Sequence, residues 1–132
     1  MKSPLQTHGK TGQKILDDPS IVCIDGENVL GWAAVSRVST RKVYQGVGEL
    51  SLYVDPDSQR KGTGKLLMEA IIAESKKAGF WTLQAGIFPE NIPSINIHKS
   101  FGFRIVGERR KIGKMTYGPQ SGKWRDLLLL ER

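Results

Sequence analysis

Apolar residues along the chain gather in short runs of β-forming type, separated by polar stretches, with one longer segment of helical period. Residues 21–24, the polar Asp25-Gly26-Glu27-Asn28 and residues 29–35 read as strand, turn and strand. A polar stretch, 36–46, leads into Glu49-Leu50-Ser51-Leu52-Tyr53-Val54, a third strand. Asp55-Pro56-Asp57 ends it, because proline has no N–H for a ladder and Asp favours turns. From Gly64 to Ala78 the period changes. Leu66, Leu67, Ala70, Ile71, Glu74 and Ala78 fall near one helical face, Lys76 and Lys77 suit the last turn, and Gly79 is placed to cap it. Residues 81–88 form a fourth strand. A second helix runs from Pro93 to Ser100, with proline in its first turn and Gly102 after its last. Residues 103–107 and 124–130 are two further strands, joined by a glycine-bearing basic segment. Residues 1–20 show no sustained period and are a poorly specified lead-in, with a short helical turn around residues 13–17.

No repeat or linker interrupts this order, so a single domain over residues 1–132 is expected. Early strands joined by short turns pair antiparallel, while strand–helix–strand around residues 66–78 requires a parallel crossover. Together they predict a three-layer α/β sandwich on a mixed sheet.

Composition narrows the function classes. At 132 residues, 39% hydrophobic and 25% charged, the chain has material for one sizeable core. No apolar run approaches the ~20 residues that span a bilayer, and Met1-Lys2-Ser3-Pro4 leads into polar residues rather than a secretory signal. Cys23 is the only cysteine, which excludes an internal disulfide or a cysteine-based zinc cluster; in its apolar strand it reads as a core residue. With only His8 and His98, metal catalysis is not expected. The cytoplasm is the expected compartment.

The net charge of +7 suits a polyanionic partner, either nucleic acid or a phosphorylated cofactor. Arg109, Arg110, Lys111, Lys114, Lys123, Arg125 and Arg132 face only Glu108, Asp126 and Glu131 near the C-terminus. Acids interleave with these bases, as on a mixed surface rather than a nucleic-acid stripe. Charge alone does not choose.

The sharpest chemistry is Gln59-Arg60-Lys61-Gly62-Thr63-Gly64-Lys65, between a strand and a helix. Glycines at alternate positions allow a tight turn whose N–H groups no side chain obstructs. The unpaired donors and positive dipole end of the helix then point into one space, where a pyrophosphate fits, with Arg60, Lys61 and Lys65 adding charge. A plain glycine turn is the alternative. The pattern is neither the three-glycine dinucleotide fingerprint nor a P-loop.

Val54, Gln59-x-x-Gly62-x-Gly64 and the following helix resemble the acetyl-coenzyme A-binding motif of the GNAT acyltransferase superfamily. Residues 89–103, with their Asn, helix and terminal Gly102-Phe103, resemble its second motif. Residues 49–54, 91–103 and Trp124-Arg125-Asp126 together are similar to the phosphinothricin acetyltransferase-like branch. The resemblance implies a mixed, mostly antiparallel sheet with a splayed central strand pair, and acetyl-CoA as co-substrate without a metal. Backbone groups of Leu52, Tyr53 and Val54 would bond the pantetheine arm. Amides of Arg60, Lys61, Gly62, Thr63, Gly64 and Lys65 would hold the pyrophosphate, and Asn91 would contact the cofactor.

It also implies an amine attacking a thioester. An α-ammonium has a pKa near ~8 to 10, so a base would help at neutral pH. Glu49 stands where this branch carries a carboxylate in that role, although a strand-end acid paired with a nearby base is the plainer reading. His98 stands where many members carry a tyrosine that protonates the departing thiolate; it could act likewise or be packed structurally. Arg41 and Tyr44 match a loop near the acceptor, and an arginine holds a carboxylate bidentately. Ser94 reads first as a helix cap. Trp124 and Asp126 read first as sheet packing.

Relatives in this superfamily begin with a strand and one or two helices, which residues 1–20 do not match. An exposed first hairpin edge would favour a second chain, so a homodimer is expected, with a small amine as substrate and no membrane partner. The leading expectation is an N-acetyltransferase for an amino-acid-like acceptor of the phosphinothricin or methionine sulfoximine type. The rivals are a coenzyme A-binding module without activity and, with less behind it, a basic nucleic-acid-binding protein lacking any stacking strip.

Overall fold

A computed structural model describes residues 5–8, 18–58 and 62–132 of the chain. It is an α/β fold in two compact units, Met1–Leu83 and Gln84–Arg132.

In the first unit, strands β1 (Leu5–His8), β2 (Ser20–Asp25), β3 (Asn28–Arg37) and β4 (Val47–Val54) lie side by side in that order, each antiparallel to the next. The strand β1 corrects the expectation of a shapeless lead-in without a first strand: it covers the edge of β2. A four-residue edge strand with one apolar residue, Leu-Gln-Thr-His, carries no alternation for the sequence to show. The β2–β3 hairpin turns as expected on two residues, with Gly26 at φ +61° in the first position.

Alternation assigns the two faces of this sheet. Ile21, Cys23, Ala33, Val35 and Leu50 are buried beneath α1 (Thr63–Lys77). Trp32 and Tyr53, directly opposite one another, stack on the other face at 6.2 Å between centroids. The helix buries Leu67, Met68, Ile71, Ile72 and Ser75. This stripe is rotated from the one expected: Leu66, Ala70, Glu74 and Ala78 are its half-buried flank. Two long neighbours, Met68 and Ile72, outweigh the small Ala70 in choosing which side faces the sheet. Ser75 is accommodated by donating to the carbonyls of Ile71 and Ile72 at 2.7 and 3.0 Å. Gly79, at φ +94°, ends the helix, with Phe80 N–H bonding Ser75 O at 3.0 Å and Gly79 N–H bonding Lys76 O at 3.1 Å.

One close approach fixes where α1 starts. A Cβ on Gly31 would stand 2.5 Å from Tyr53 O and 2.9 Å from Leu67 Cδ1. Only glycine lets the first turns of α1 settle onto β3 beside the end of β4.

Strand β5 (Thr82–Ile87) begins with the last two residues of the first unit; in the second unit its residues 84–87, β7 (Trp124–Glu131) and β6 (Arg104–Lys114) lie in that order, β5 antiparallel to β7 and β7 to β6. The strand β6 is longer than expected and irregular. Two register shifts interrupt it, and Lys111 takes φ +49° in the second while its N–H bonds Asp126 Oδ1 at 2.8 Å. Helix α2 (Ile92–Ser100) is capped by Asn91, whose Oδ1 accepts from Ser94 N–H at 3.3 Å, so Ser94 is the capped residue and not the cap.

The last turn of α2 carries His98, 2% exposed, edge-on to Phe103 at 5.0 Å. Its Nδ1 lies 2.7 Å from the carbonyl of Ser94, which can only accept, so Nδ1 bears the proton. Burial lowers the pKa of the ring, against a smaller upward push from that backbone bond. The folded chain therefore holds His98 neutral, while the unfolded chain takes a proton near 6.5. This contribution to stability is complete above the unfolded value and is lost as pH falls through the lower folded one. Melting temperatures measured between pH 7.5 and 5 will drop more for the natural chain than for His98→Phe. Equal acid slopes would refute this account of the ring.

Candidate active site

The expected anion cradle falls at the junction of β4 and α1. Pro56–Ser58 makes one 3-10 turn after Asp55, closed by Ser58 N–H to Asp55 O at 2.8 Å. Gln59, Arg60 and Lys61 lie outside the described residues. Gly62 then takes φ +81°, the left-handed region that a side chain resists, and α1 begins. Its first bond is Leu66 N–H to Gly62 O at 3.0 Å, which leaves the amides of Thr63, Gly64 and Lys65 without acceptors among the described residues. No side chain of Gly62 or Gly64 stands over them, and a Cβ built on Gly62 meets nothing within 4 Å. Thr63 is buried, whereas Lys65 is exposed at the positive end of the dipole. The residues present thus fit a diphosphate: bare donors, open space and a cation beside them.

The edge of β4 can be worked out from its ladder. Asp55 N–H bonds Leu30 O at 2.8 Å and Val38 N–H bonds Val47 O at 3.2 Å, so both ends of the β3–β4 pairing are hydrogen-bonded positions. Such positions alternate along antiparallel strands, which makes Trp32–Tyr53 one of them. The main-chain groups of Tyr53 are therefore turned to β3, whereas those of Leu52 and Val54 point away from it. Of the three residues expected to offer backbone groups to a pantetheine arm, two are oriented outward.

Glu49 sits in the same strand, opposite Ser36, on the face that carries Tyr53 and not the one beneath α1. It is exposed, and no described residue pairs with its carboxylate. The plainer reading, an acid held by a neighbouring base, finds no partner among the described residues.

Arg41 and Tyr44 lie together on the turn between β3 and β4. Residues 42–44 form a 3-10 turn, with Tyr44 N–H bonding Arg41 O at 3.0 Å and the Arg41 guanidinium 5.8 Å over the Tyr44 ring. Both are exposed and turned to solvent.

In the second unit, Asn91 spends its Oδ1 on the cap of α2, which leaves the Nδ2 hydrogens as its remaining donors. His98, with Nδ1 protonated and the ring neutral, presents Nε2 as an acceptor. A neutral ring of this tautomer has no proton on Nε2 to give, so its packing lends no support to the general-acid role. Trp124 is exposed, and Asp126 is committed to the amide of Lys111.

Two arrangements were not read from the sequence. Arg125 lies 4.0 Å over the Phe88 ring and pairs with Glu90, an arginine stacked and neutralised at once. Gly46 rests against Trp81: a Cβ there would fall 2.1 Å from the indole. Neither arrangement has a sequence spacing that would announce it.

The chain is 29% identical over 119 residues to L-methionine sulfoximine/L-methionine sulfone acetyltransferase of Salmonella typhimurium, covering 90% of this chain and 67% of that protein. It is 29% identical over 108 residues to phosphinothricin N-acetyltransferase of Streptomyces coelicolor, covering 82% and 60%. The crystal structure of a phosphinothricin acetyltransferase from Sinorhizobium meliloti in complex with AcCoA superposes with a TM-score of 0.75 at 28% identity, over 87% of this chain and 60% of that one. The chain thus spans roughly two thirds of the length of such relatives or a little less. A model of the acetyltransferase (GNAT) family matches residues 5–103, and with the glycine turn at the end of β4 this places the chain in the GNAT acetyltransferase family.

Proposed function

We propose that the protein transfers an acetyl group from acetyl-CoA to the primary amine of a small amino-acid-like acceptor. One observation carries the reading: the left-handed Gly62 and, at the head of α1, the amides of Thr63, Gly64 and Lys65, which have no acceptor among the described residues. The amino-acid-like class follows the relatives named for methionine sulfoximine and phosphinothricin.

In this reading the α1 amides and Lys65 hold the diphosphate, and the outward groups of Leu52 and Val54 receive the pantetheine arm as an added strand. Acetyl-CoA supplies an activated acyl group; the Val54 N–H stabilises the oxygen on which charge develops. Glu49 takes a proton from the acceptor ammonium, directly or through water, which frees the amine lone pair to attack the thioester, and its exposed position on the strand lets it reach solvent. Arg41 binds the acceptor carboxylate in a two-pronged contact, and Tyr44 holds the guanidinium from below. The structure lends the thiol-protonation role of His98 no support, and solvent can supply that proton.

We also propose a homodimer. The strand β6 lies at the edge of its sheet and exposes Ile105, Val106 and Ile112, as an association surface would. A scattering mass of twice 14.7 kDa is expected, and a mass equal to one chain at micromolar concentration removes this part.

Thiol release from acetyl-CoA will rise when methionine sulfoximine, methionine sulfone, phosphinothricin and plain amino acids are offered in turn. Calorimetry will show coenzyme A binding without them. Binding with no turnover on any amine, peptide N-termini included, would favour the inactive module; absence of binding would end both readings. Replacing Glu49 by Gln will lower kcat by about 10²-fold or more, in line with the usual worth of a general base. Affinity for acetyl-CoA will be unchanged. Unaltered turnover would remove Glu49 from the chemistry.

A further inference from the structure

We infer that Trp81 is the positioning residue of the turn at residues 39–46 and, through that turn, sets recognition of the acceptor; this rests on the acetyl-transfer reading above. The turn carries Arg41 and Tyr44, and everything in it from residue 40 to residue 45 is exposed. Its own bonds are local: Arg41 N–H to Ser39 Oγ at 3.1 Å, and Gln45 N–H to Lys42 O at 3.2 Å. Such bonds shape the turn, and the β3–β4 ladder closes its base with Val38 N–H to Val47 O at 3.2 Å, but neither sets how the turn leans against the rest of the sheet.

Gly46, which is buried, fixes it. Its carbonyl accepts two N–H groups, from Trp81 at 2.8 Å and from Thr82 at 3.1 Å. Its α-carbon lies flat on the indole, so that a Cβ would stand 2.1, 2.2 and 2.5 Å from Cε3, Cδ2 and Cζ3 of that rigid ring. Two residues on, Gly48 repeats the arrangement against Phe80, where a Cβ would stand 2.9 Å from Cδ1. Residues 80–82 are thus a strip on which the backbone at 46–48 is seated, with a glycine wherever a ring meets it. Phe80 is a core residue, but Trp81 remains 58% exposed, so the core gains little from its size. What the indole does contact is the root of the turn that bears Arg41.

The geometry gives Trp81 a consequence for binding that exceeds its consequence for stability. Removing the ring leaves both main-chain bonds to Gly46 O in place but frees the root of the turn to shift. A shift of about 1 Å in a binding group is enough to cost up to 10²-fold in rate.

The test uses the full chain in three forms: natural, Trp81→Ala and Trp81→Phe. Steady-state kinetics with the best acceptor will show KM for that acceptor raised about tenfold in Trp81→Ala and partly restored in Trp81→Phe, with KM for acetyl-CoA and the melting temperature nearly unchanged. Limited trypsin digestion, read as cleavage after Arg41 and Lys42, will be faster in Trp81→Ala. Because this second measurement needs no turnover, it separates the two ideas. An inert natural chain overturns the acetyl-transfer reading, and the acceptor role of Trp81 with it, while digestion still reports whether the turn is anchored by the indole. Equal digestion of all three forms, or both KM values moving together, would overturn the positioning role. A Gly46→Ala variant provides the reciprocal change, since the added methyl must displace the ring or the turn; it should reproduce the KM split of Trp81→Ala, and an unaltered acceptor KM there also counts against the inference.

Discussion

The contact between Gly31 and the first turns of α1 decides most of what this protein can do. A Cβ on Gly31 would strike both Tyr53 O and Leu67, so β3, β4 and α1 converge at one point where no side chain fits. That convergence brings the head of the helix beside the end of β4, and Gly62 opens the helix from the left-handed region. The amides that follow, without acceptors among the described residues, are a by-product of how helices begin, and the packing at Gly31 is what gives them a fixed position relative to β4. The place of this helix head therefore depends on a buried steric contact with no polar character of its own.

A division of labour runs along β4. Its side chains alternate between a face packed on α1 and a face bearing Glu49 and Tyr53, while its main-chain groups alternate between β3 and the opposite edge. Gly48, Leu50, Leu52 and Val54 put side chains or Cα inward and main-chain groups outward. Glu49, Ser51 and Tyr53 do the reverse. A single strand thus offers a carboxylate on one face and main-chain groups turned away from β3 along one side, with no residue asked to do both.

Much of this was legible in the sequence. Strand runs at residues 21–24, 29–35 and 49–54 and the helix after Gly62 stand out because period and punctuation agree: Gly26, Pro56 and Gly79 fall at the breaks. The glycine turn was readable as a turn because Gly62 and Gly64 fall between a strand run and a helical period. Less visible were features decided by tertiary contact. Strand β1 is too short to show a period, and it is ordered by its pairing with β2. The buried stripe of α1 turned toward Met68 and Ile72 because side-chain size, not hydrophobic spacing alone, sets the rotation. Asn91 took the cap that Ser94 was expected to make, since the helix begins one residue before Pro93. The state of His98 was beyond sequence reasoning, because burial and a carbonyl four residues back fix its tautomer.

The kink at Lys111 bears on how molecules meet. A sheet edge that ran straight from Arg104 to Lys114 would be a template onto which strand after strand could add without end. At Lys111 the backbone swings into a left-handed conformation, Asp126 secures it there, and a positive charge marks the spot. Any partner strand can follow the rim only part of the way before the hydrogen-bonding rhythm fails. A strand laid along this border would in consequence keep an unbroken ladder on only one side of Lys111.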